Sequence, residues 1–334
     1  MSYASVLLCH GSPATLCDIP TFLANIRGGK PAPDALVGKV QSRYEAIGGR
    51  SPLLATTRAQ AELLAEKSGI PCVVASRYSS PSFEDVLRSM LDSSNPSELI
   101  AISAAPFSSH TYFAAFRQAV LSISANERAV PRIHYSPIWC NHPSVIHGWA
   151  TAITNAFRRL GSEKVSRSAL VITAHSMPIL PSNGCFEYQR LVEQTAYALI
   201  EYLAGLGHKV PTSVIAYQSQ GSTKQHNIKW LGPDILTAFD TIQSTNTQCS
   251  DNNRARHSAK NYIDGIVLVP VGFPADHLET LYDLDIDTRQ LAESRGLWFE
   301  RIPCLNTDES LIDAMLWSIF QGTQEISISQ PIRP

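Results

Sequence analysis

Short apolar runs that alternate with helix-like segments constrain the fold of this chain more than any other feature. Eight such runs occur, at residues 5–9, 71–76, 98–103, 132–136, 169–173, 212–218, 266–271 and 297–302. Helical spacing marks segments between them, for example 57–68, 83–92, 144–160, 186–206 and 311–320. Strands that alternate with helices of this length indicate βαβ units and parallel sheets. We therefore predict an α/β fold with two Rossmann-like, doubly wound domains, each a roughly four-stranded parallel sheet flanked by helices, with the active-site cleft between them.

The length of the chain fits two domains. With 334 residues, about two domains are expected. A polar stretch at 161–167 precedes a new apolar run and indicates a boundary nearby. We assign residues 1–155 to an N-terminal Rossmann-like domain and 156–307 to a C-terminal one, with the C-terminal helix at 308–330 packing back on the first. The polar segment 244–260 lacks periodicity and is interpreted as a surface insertion without a catalytic role.

Composition and charge exclude several classes of function. Lys and Arg total 27 against 29 Asp and Glu, a net charge of −2, so the chain has no basic field that would hold nucleic acid. No apolar run approaches the roughly 20 residues that cross a bilayer, and the N-terminus lacks the basic stretch of a signal peptide. The seven cysteines have no CxxC pair, so we expect free thiols and no iron–sulfur cluster. These features predict a cytoplasmic protein without a membrane span.

Two stretches carry the residues best suited to chemistry. VITAHSMP at 171–178 and VPVGFPADHLETLYD at 269–283 each begin as an apolar run and end in polar residues. Residues just past the carboxyl ends of parallel strands line the ligand crevice, so His175 and Glu279 are expected to face one cleft. An unperturbed pKa of about 6.5 would leave the imidazole largely neutral, able to accept a proton or bind a metal. The alternative is a purely structural histidine.

Further polar residues accompany this pair in the second half. Glu279, Asp283 and Asp287 are four residues apart and share a face on a helix. These carboxylates either guide cations along one side of the site or form an ordinary solvated acidic face of the helix. The stretch 217–234 follows another strand and is either a long loop or a wall of a pocket for a planar ligand, with Trp230 packing there.

The first half contributes a histidine and several arginines. His10 ends the first predicted strand and precedes a glycine turn. Arg27, Arg43 and Arg50 lie close together in the sequence. Because guanidinium groups bind carboxylates through paired hydrogen bonds, these arginines suggest an anionic substrate, although they are equally compatible with an ordinary surface.

A set of motifs gives the chain a resemblance to a known family. The motifs are CHGSP at 9–13, RYEAIGGRSPL at 43–53, ITAHSMP at 172–178, YQSQG and WLGPD within 217–234, and PVGFPADHLETLYD at 270–283. Here the chain resembles the ferrochelatases, enzymes that insert ferrous iron into a porphyrin. The third motif is similar to the family's Ser-Ala-His-Ser-Leu-Pro signature, and the last two sets are highly specific. The resemblance spans essentially the whole chain in the same order.

The resemblance implies roles for residues at matching positions. His175 and Glu279 would face each other across the porphyrin's centre as the catalytic pair. The implied metal-binding residues are His175, Glu279, Asp283 and Asp287, the last two extending an acidic track on an irregular helix. The implied porphyrin-binding residues are His10, Arg27, Arg43, Ser51, Tyr112, Gln218 and Trp230. The chain departs from its similar relatives at His10, where they have a tyrosine near the product iron, and at Gly28, which replaces a second arginine.

The substrate is also suggested by the resemblance. The short, polar region 26–53 is similar to that of enzymes in the coproporphyrin-dependent route, whereas protoporphyrin enzymes have a longer apolar lip there. The implied reaction in haem biosynthesis inserts Fe²⁺ into coproporphyrin III, a lyase-class chelation that releases two protons. Iron is then a substrate, and no prosthetic group is expected.

Three alternatives remain from the sequence. They are a protoporphyrin IX ferrochelatase, a cobalt or nickel chelatase acting on a sirohydrochlorin-type ring, and a haem or iron carrier on the same fold. The expected partners are the porphyrin and ferrous iron, with transient contact to neighbouring haem-pathway enzymes. No nucleic acid is expected among the partners.

Overall fold

The computed structural model contains eight strands in the part of the chain that it describes. Outside that part lie residues 1, 126–128, 181–182, 209–211, 221–227, 252–261 and 322–334, together with the side chains of 245–251 and 321. The strands are β1 Tyr3–Cys9, β2 Cys72–Ser76, β3 Glu98–Ser103, β4 Arg132–Tyr135, β5 Ser168–His175, β6 Thr212–Gln218, β7 Gly265–Val269 and β8 Trp298–Arg301. Each of the apolar runs predicted from the sequence is therefore a strand.

The strands form two four-stranded sheets with the same internal order. The first sheet has the order β2-β1-β3-β4 and the second β6-β5-β7-β8. All neighbouring pairs are parallel. The predicted class, two doubly wound parallel sheets flanked by helices, is confirmed.

Helices connect the strands, as the alternating pattern requires. They are α1 Ile19–Ile26, α2 Asp34–Ala46, α3 Leu53–Ser68, α4 Phe83–Ser93, α5 Ser109–Ser124, α6 Pro143–Ser166, α7 Cys185–Gly205, α8 Ile235–Asp251, α9 Arg289–Ser294 and α10 Glu309–Gln321. A π-helix at Glu279–Thr288 precedes α9. Within α6, Gly161 has a left-handed φ of 80° and interrupts the helix where the sequence turns polar. Among the described residues, no helix is long and apolar enough to cross a bilayer.

The chain divides into two compact units. Of the described residues, the first unit contains those up to His142, the segment Pro274–Leu278 and residues 306–321, and the second contains those within Pro143–Phe273 and Glu279–Leu305. The second unit begins at Pro143, where α6 starts, and α6 packs on α7 of the same unit, while the domain boundary near residue 155 stays a prediction. Helix α10 packs on α3 and β3 of the first unit.

Each unit has its own apolar core around the central strands of its sheet. Leu8, Leu99 and Phe116 belong to the core of the first unit. The second core includes Phe239 and Leu268. Parallel strands with both faces covered have nearly continuous apolar sequences, and this explains why the eight runs could be recognised.

The polar segment 244–260 differs in part from its interpretation as an irregular insertion. Helix α8 continues to Asp251, so the first part of the segment has helical backbone. Residues 252–260 lie outside the described part of the chain. Once a helix has started, each added residue gains one hydrogen bond, and a helix can therefore extend beyond its amphipathic portion.

The order of the strands determines where each sheet can bind a ligand. In each sheet the order in which strands are added changes side at one point. This point lies between β1 and β3 in the first sheet and between β5 and β7 in the second. At such a point the connections leave the sheet on opposite faces, which opens a crevice at the carboxyl ends of the strands. The residues that follow β1, β5 and β7 are therefore the candidates for a site.

Candidate active site

His175 is the last residue of β5, at the switch point of the second sheet. It pairs in register with Gln218 of β6, whereas the sequence prediction ended this strand at Thr173. Its Nδ1 donates to the carbonyl oxygen of Ser176. Its Nε2 lies 3.5 Å from Oε1 of Glu279, and the two side chains are 36% and 34% exposed. The structure thus brings together the two residues that the strand-end argument selected.

The charge state of His175 differs from the neutral imidazole expected from the sequence. Burial lowers its pKa, but the Glu279 carboxylate raises it, together with the carbonyl of Ser176 and the charge of Asp283, and the resulting pKa is about 9. At neutral pH the ligand-free site therefore contains an imidazolium ion paired with a carboxylate.

We expect Glu279→Gln to bring the pKa of His175 back towards its ordinary value of about 6.5. NMR titration of the imidazole in the ligand-free protein measures this directly. Because the folded-state pKa is raised, protonation of His175 stabilises the wild type fully below about pH 6.5, and this contribution is lost as the pH rises through about 9. The unfolding free energy of the wild type should therefore decline relative to that of the variant over this interval. An imidazole pKa unaffected by the substitution would contradict the proposed coupling.

Glu279 is the first residue of the π-helix, which has ten residues. π-Helices usually occur as single turns and are frequent at functional sites. Their hydrogen bonds span five residues, so positions four apart fall just short of a full turn and share a face. The buried face consists of Thr280, Leu284 and Thr288. The acidic face, one position earlier in each case, consists of Glu279, Asp283 and Asp287.

Two arginines connect the π-helix to β8. Arg301 donates from Nε and Nη2 to the two carboxylate oxygens of Asp285, at 2.6 and 2.7 Å. Arg289 donates from Nε to the carbonyl of Asp285 and from Nη1 to that of Phe299, both at 3.1 Å. The Arg301 side chain is only 8% exposed, and buried bidentate pairs of this kind fix geometry as well as adding energy. Sequence reasoning missed this support, since no motif links Asp285 to Arg301.

The acids on the π-helix do not surround a single point. Asp283 accepts a 2.5 Å hydrogen bond from the hydroxyl of Ser219, a residue with a left-handed φ of 59°, while Asp287 is exposed. Across the described ranges, no three His, Cys, Asp or Glu side chains are grouped so as to hold a metal ion. His175, Glu279, Asp283 and Asp287 form no such group there, and their role as metal-binding residues, with the acids as a track along the helix, stays a prediction.

Gly272 holds the loop after β7 against the end of β5. Its N–H donates to the carbonyl of Thr173 at 3.2 Å. A Cβ atom at this position would lie 2.6 Å from Cβ and 2.7 Å from Cα of Ala174, far inside van der Waals contact. The absence of a side chain therefore keeps the segment leading to Glu279 beside the strand that ends at His175.

We expect Gly272→Ala to lower the free energy of unfolding by about 1–3 kcal/mol, because a backbone atom obstructs the new methyl group. The matched control is Gly38→Ala in the interior of α2, where an added Cβ meets no atom within 4 Å. The free energy of unfolding of Gly38→Ala should equal that of the wild type or exceed it by about 0.5–1 kcal/mol. Denaturant unfolding of both variants provides the comparison, and equal stabilities would show that the close approach is unimportant.

In the first unit, His10 lies directly after β1, at the switch point of that sheet. Its side chain is exposed, and its ring contacts two aromatic neighbours edge to face. The ring centroids are 4.9 Å from Tyr78 and 5.8 Å from Phe22. His10 therefore lies at the carboxyl end of a strand beside the switch point, where the sequence placed it.

The other predicted porphyrin contacts of the first unit differ in exposure. Arg27, at the end of α1, is exposed, and Arg43, in α2, is half-buried. Ser51 accepts a hydrogen bond from the backbone N–H of Leu53 at 3.2 Å, just before α3. Tyr112, in α5, is only 7% exposed and belongs to the apolar core. The first three positions present polar groups at or near the surface, whereas the Tyr112 ring is largely enclosed.

The remaining two predicted contacts lie beside His175. Gln218 is 3% exposed, and its Oε1 accepts a 3.0 Å hydrogen bond from the hydroxyl of Thr173. Its buried Nε2 has no hydrogen-bond partner within the described part of the chain. Trp230 is half-buried and forms a β-bridge with Pro178. Both residues therefore border the end of β5.

Solved structures share this architecture. SirB from Bacillus subtilis with Fe³⁺ has a TM-score of 0.56 and 12% sequence identity, and the match covers 97% of this chain and 96% of that chain. A multi-domain protein from Deinococcus radiodurans with structural similarity to chelatases has a TM-score of 0.50 and 16% identity, over 97% of this chain and 56% of its own. These likenesses concern the fold.

Sequence comparison is more specific. The ferrochelatase family profile matches residues 3–322. A coproporphyrin III ferrochelatase from Anoxybacillus flavithermus is 29% identical over 321 residues, which cover 93% of this chain and 93% of the relative. The chain belongs to the ferrochelatase family, and the resemblance carried by the strand-end motifs is confirmed.

Proposed function

We propose that this protein inserts ferrous iron into coproporphyrin III, a lyase-class chelation that yields Fe-coproporphyrin III and releases two protons. The observation that carries the proposal is the pairing of His175 Nε2 with Glu279 Oε1 at 3.5 Å, at the end of β5. Membership of the ferrochelatase family supports the reaction, and the Anoxybacillus flavithermus relative supports the substrate. We place the reaction in the cytoplasm, with transient contacts to neighbouring enzymes of haem synthesis.

The reaction sets two requirements for the site. Two pyrrole N–H protons must leave the ring, and a partly dehydrated cation must reach its nitrogen atoms. A flat macrocycle directs its N–H groups into the ring plane, away from any base above it. Distorting the ring exposes a nitrogen lone pair at a cost of about 1–5 kcal/mol, which binding of remote substituents supplies.

The His175–Glu279 pair meets the first requirement in this proposal. The Nδ1–H of His175 is engaged by the Ser176 carbonyl, so the ring is oriented and Nε2 is the atom directed at Glu279. The pair would act above the centre of the porphyrin: the Glu279 carboxylate would accept a pyrrole proton while the His175 imidazolium gives its Nε2 proton to solvent, transfer of the proton from Glu279 to His175 would restore the ion pair, and a second such cycle would remove the second pyrrole proton.

The acidic face of the π-helix would meet the second requirement. Glu279, Asp283 and Asp287 follow one another towards an exposed end. Carboxylates in sequence, rather than in a ring, offer a cation successive weak sites. Weak sites of this kind would release Fe²⁺ to the porphyrin, whereas a complete set of protein ligands would hold it.

The polar positions of the first unit would recognise the porphyrin substituents. Arg27 and Arg43 supply guanidinium groups for propionates, and Ser51 supplies a hydroxyl. His10, exposed after β1, would approach the iron of the product, to which its imidazole would be a strong ligand. In the second unit, Trp230 would pack against the macrocycle.

Coproporphyrin III should be metallated at least about tenfold faster than protoporphyrin IX at equal subsaturating concentration in detergent-free buffer, a difference of about 1.4 kcal/mol in transition-state binding. The physical reason is that the additional propionates provide further anionic groups for the arginines. Anaerobic absorbance assays with Fe²⁺ measure both rates. Equal rates would reject the choice of coproporphyrin while leaving the chelatase reaction intact, and a sirohydrochlorin-type ring with Co²⁺ or Ni²⁺ serves as the control for a different chelatase.

A further inference from the structure

Arg77 lies directly after β2, between two tyrosine rings of the first unit. Its Cζ is 4.9 Å from the ring centroid of Tyr78 and 5.8 Å from that of Tyr112. Both distances lie within the range of about 6 Å over which a guanidinium is attracted to an aromatic face. Since Tyr112 is 7% exposed and packed in the core, it provides a fixed platform. The position of the Arg77 guanidinium is thus set before any ligand arrives.

The local backbone adds to this order. The N–H of Arg77 donates to the carbonyl of Cys9 at 2.9 Å, and that of Tyr78 donates to the carbonyl of His10 at 3.1 Å. The Asn25 side chain donates to the carbonyl of Tyr78 at 3.0 Å. The segment after β2 is therefore tied to the end of β1, at the switch point of the sheet.

The guanidinium of Arg77 has no acceptor for its own N–H groups within the described part of the chain. Arg289, which lies 5.0 Å from the Phe299 ring, provides a contrast, because it donates to two carbonyl oxygens. Ring contacts engage the face of a guanidinium and leave its in-plane donors available. A half-buried cation with unengaged donors is unfavourable alone and is stabilised by an anion that accepts from it.

From this arrangement we infer that Arg77 binds a carboxylate substituent of the tetrapyrrole substrate. The inference rests on the proposed function and adds a substrate-binding residue that no sequence motif indicated. It also assigns Tyr112 and Tyr78 a supporting role, in which their rings hold the guanidinium so that its edge is directed to the ligand. The class of ligand is a propionate-bearing porphyrin, and the charge-assisted, bidentate geometry discriminates it from an esterified one.

The test compares the affinity for coproporphyrin III with that for its tetramethyl ester, measured by fluorescence quenching in one buffer. Arg77→Gln should weaken binding of the acid by about tenfold to a hundredfold, as expected for loss of a charge-assisted hydrogen bond. Binding of the ester should change by less than about twofold, since it has no carboxylate. Arg77→Lys should fall between wild type and Arg77→Gln, because an ammonium retains the charge without the fork. The matched control is Arg88→Gln on α4, a side chain 47% exposed whose partner is Glu84, and it should bind both porphyrins like the wild type.

Two results would overturn the inference. Unchanged affinity of Arg77→Gln for the acid would show that no carboxylate contacts Arg77. Equal losses for acid and ester would show that Arg77 only supports the aromatic cluster around His10. If circular dichroism shows that Arg77→Gln does not fold, Arg77→Lys serves as the test variant. The inference then requires that Arg77→Lys loses affinity for coproporphyrin III but not for the ester, and any other result overturns it. Failure of the wild type to bind either porphyrin would instead refute the proposed function itself, and this inference with it.

Discussion

Replacing His175 by alanine should reduce iron insertion by about 10²–10⁴-fold, the range typical of a group that transfers protons in the transition state. The imidazole is one of two side chains at the end of β5 that are close enough to act on the same atoms, with Nε2 3.5 Å from Glu279. The loss should appear in kcat, because His175 contacts the reacting centre rather than the porphyrin's substituents. Steady-state and single-turnover absorbance assays measure it.

The control for this variant is His147→Ala. His147 is an exposed histidine of α6, in the same unit, and its ring bonds the hydroxyl of Tyr202 at 3.0 Å. This substitution should leave metallation unchanged. Porphyrin affinity of His175→Ala, measured by fluorescence, should remain close to that of the wild type, and circular dichroism should show an intact fold. Substantial turnover by His175→Ala would remove this residue from the mechanism.

Glu279→Gln is the second substitution with a large expected effect. Glutamine keeps the shape of the side chain but removes the negative charge that stabilises the imidazolium of His175. It also removes the first carboxylate of the acidic face. We expect the metallation rate to fall by about a hundredfold or more, at the lower end of what a proton-transferring group contributes, with little change in porphyrin affinity.

Metallation rates of control variants distinguish the role of Glu279 in proton transfer from a general effect of negative charge. Glu187→Gln, at an exposed position of α7 paired with Arg190, removes one negative charge from the same unit and should have no effect. Asp287→Asn, on the exposed part of the acidic face, should slow insertion mainly at low iron concentration. A Glu279→Gln variant with a normal kcat and a raised KM for porphyrin would indicate binding rather than chemistry.

Much of the fold could be read from the sequence for a physical reason. Strands covered on both faces are continuously apolar, so runs such as 98–103 and 212–218 coincide with β3 and β6. The location of the site followed from the same pattern, because the polar residues His175 and Glu279 lie in the segments that follow two such runs. Parallel topology then brings the ends of neighbouring strands together.

The properties that the sequence did not reveal depend on distances between remote residues. The raised pKa of His175 results from the position of Glu279, which a reference pKa does not contain. The register of the π-helix is supported by the pairing of Asp285 with Arg301, and the position of Arg77 depends on the ring of Tyr112 from α5 as well as on that of the adjacent Tyr78. None of these contacts produces a local sequence signal. The unit to which α6 belongs likewise depends on a remote contact, its packing on α7.

The most direct test of the central claim is an anaerobic single turnover of the wild-type protein, in excess over coproporphyrin III, mixed with one equivalent of Fe²⁺. Absorbance follows the free-base porphyrin, and a pH indicator follows proton release. The account predicts complete conversion to the iron porphyrin with two protons released per iron, and a rate that is about 10²–10⁴-fold lower in His175→Ala. An unchanged free-base spectrum in the wild-type reaction would contradict it, and binding of iron or porphyrin without conversion would identify a carrier instead.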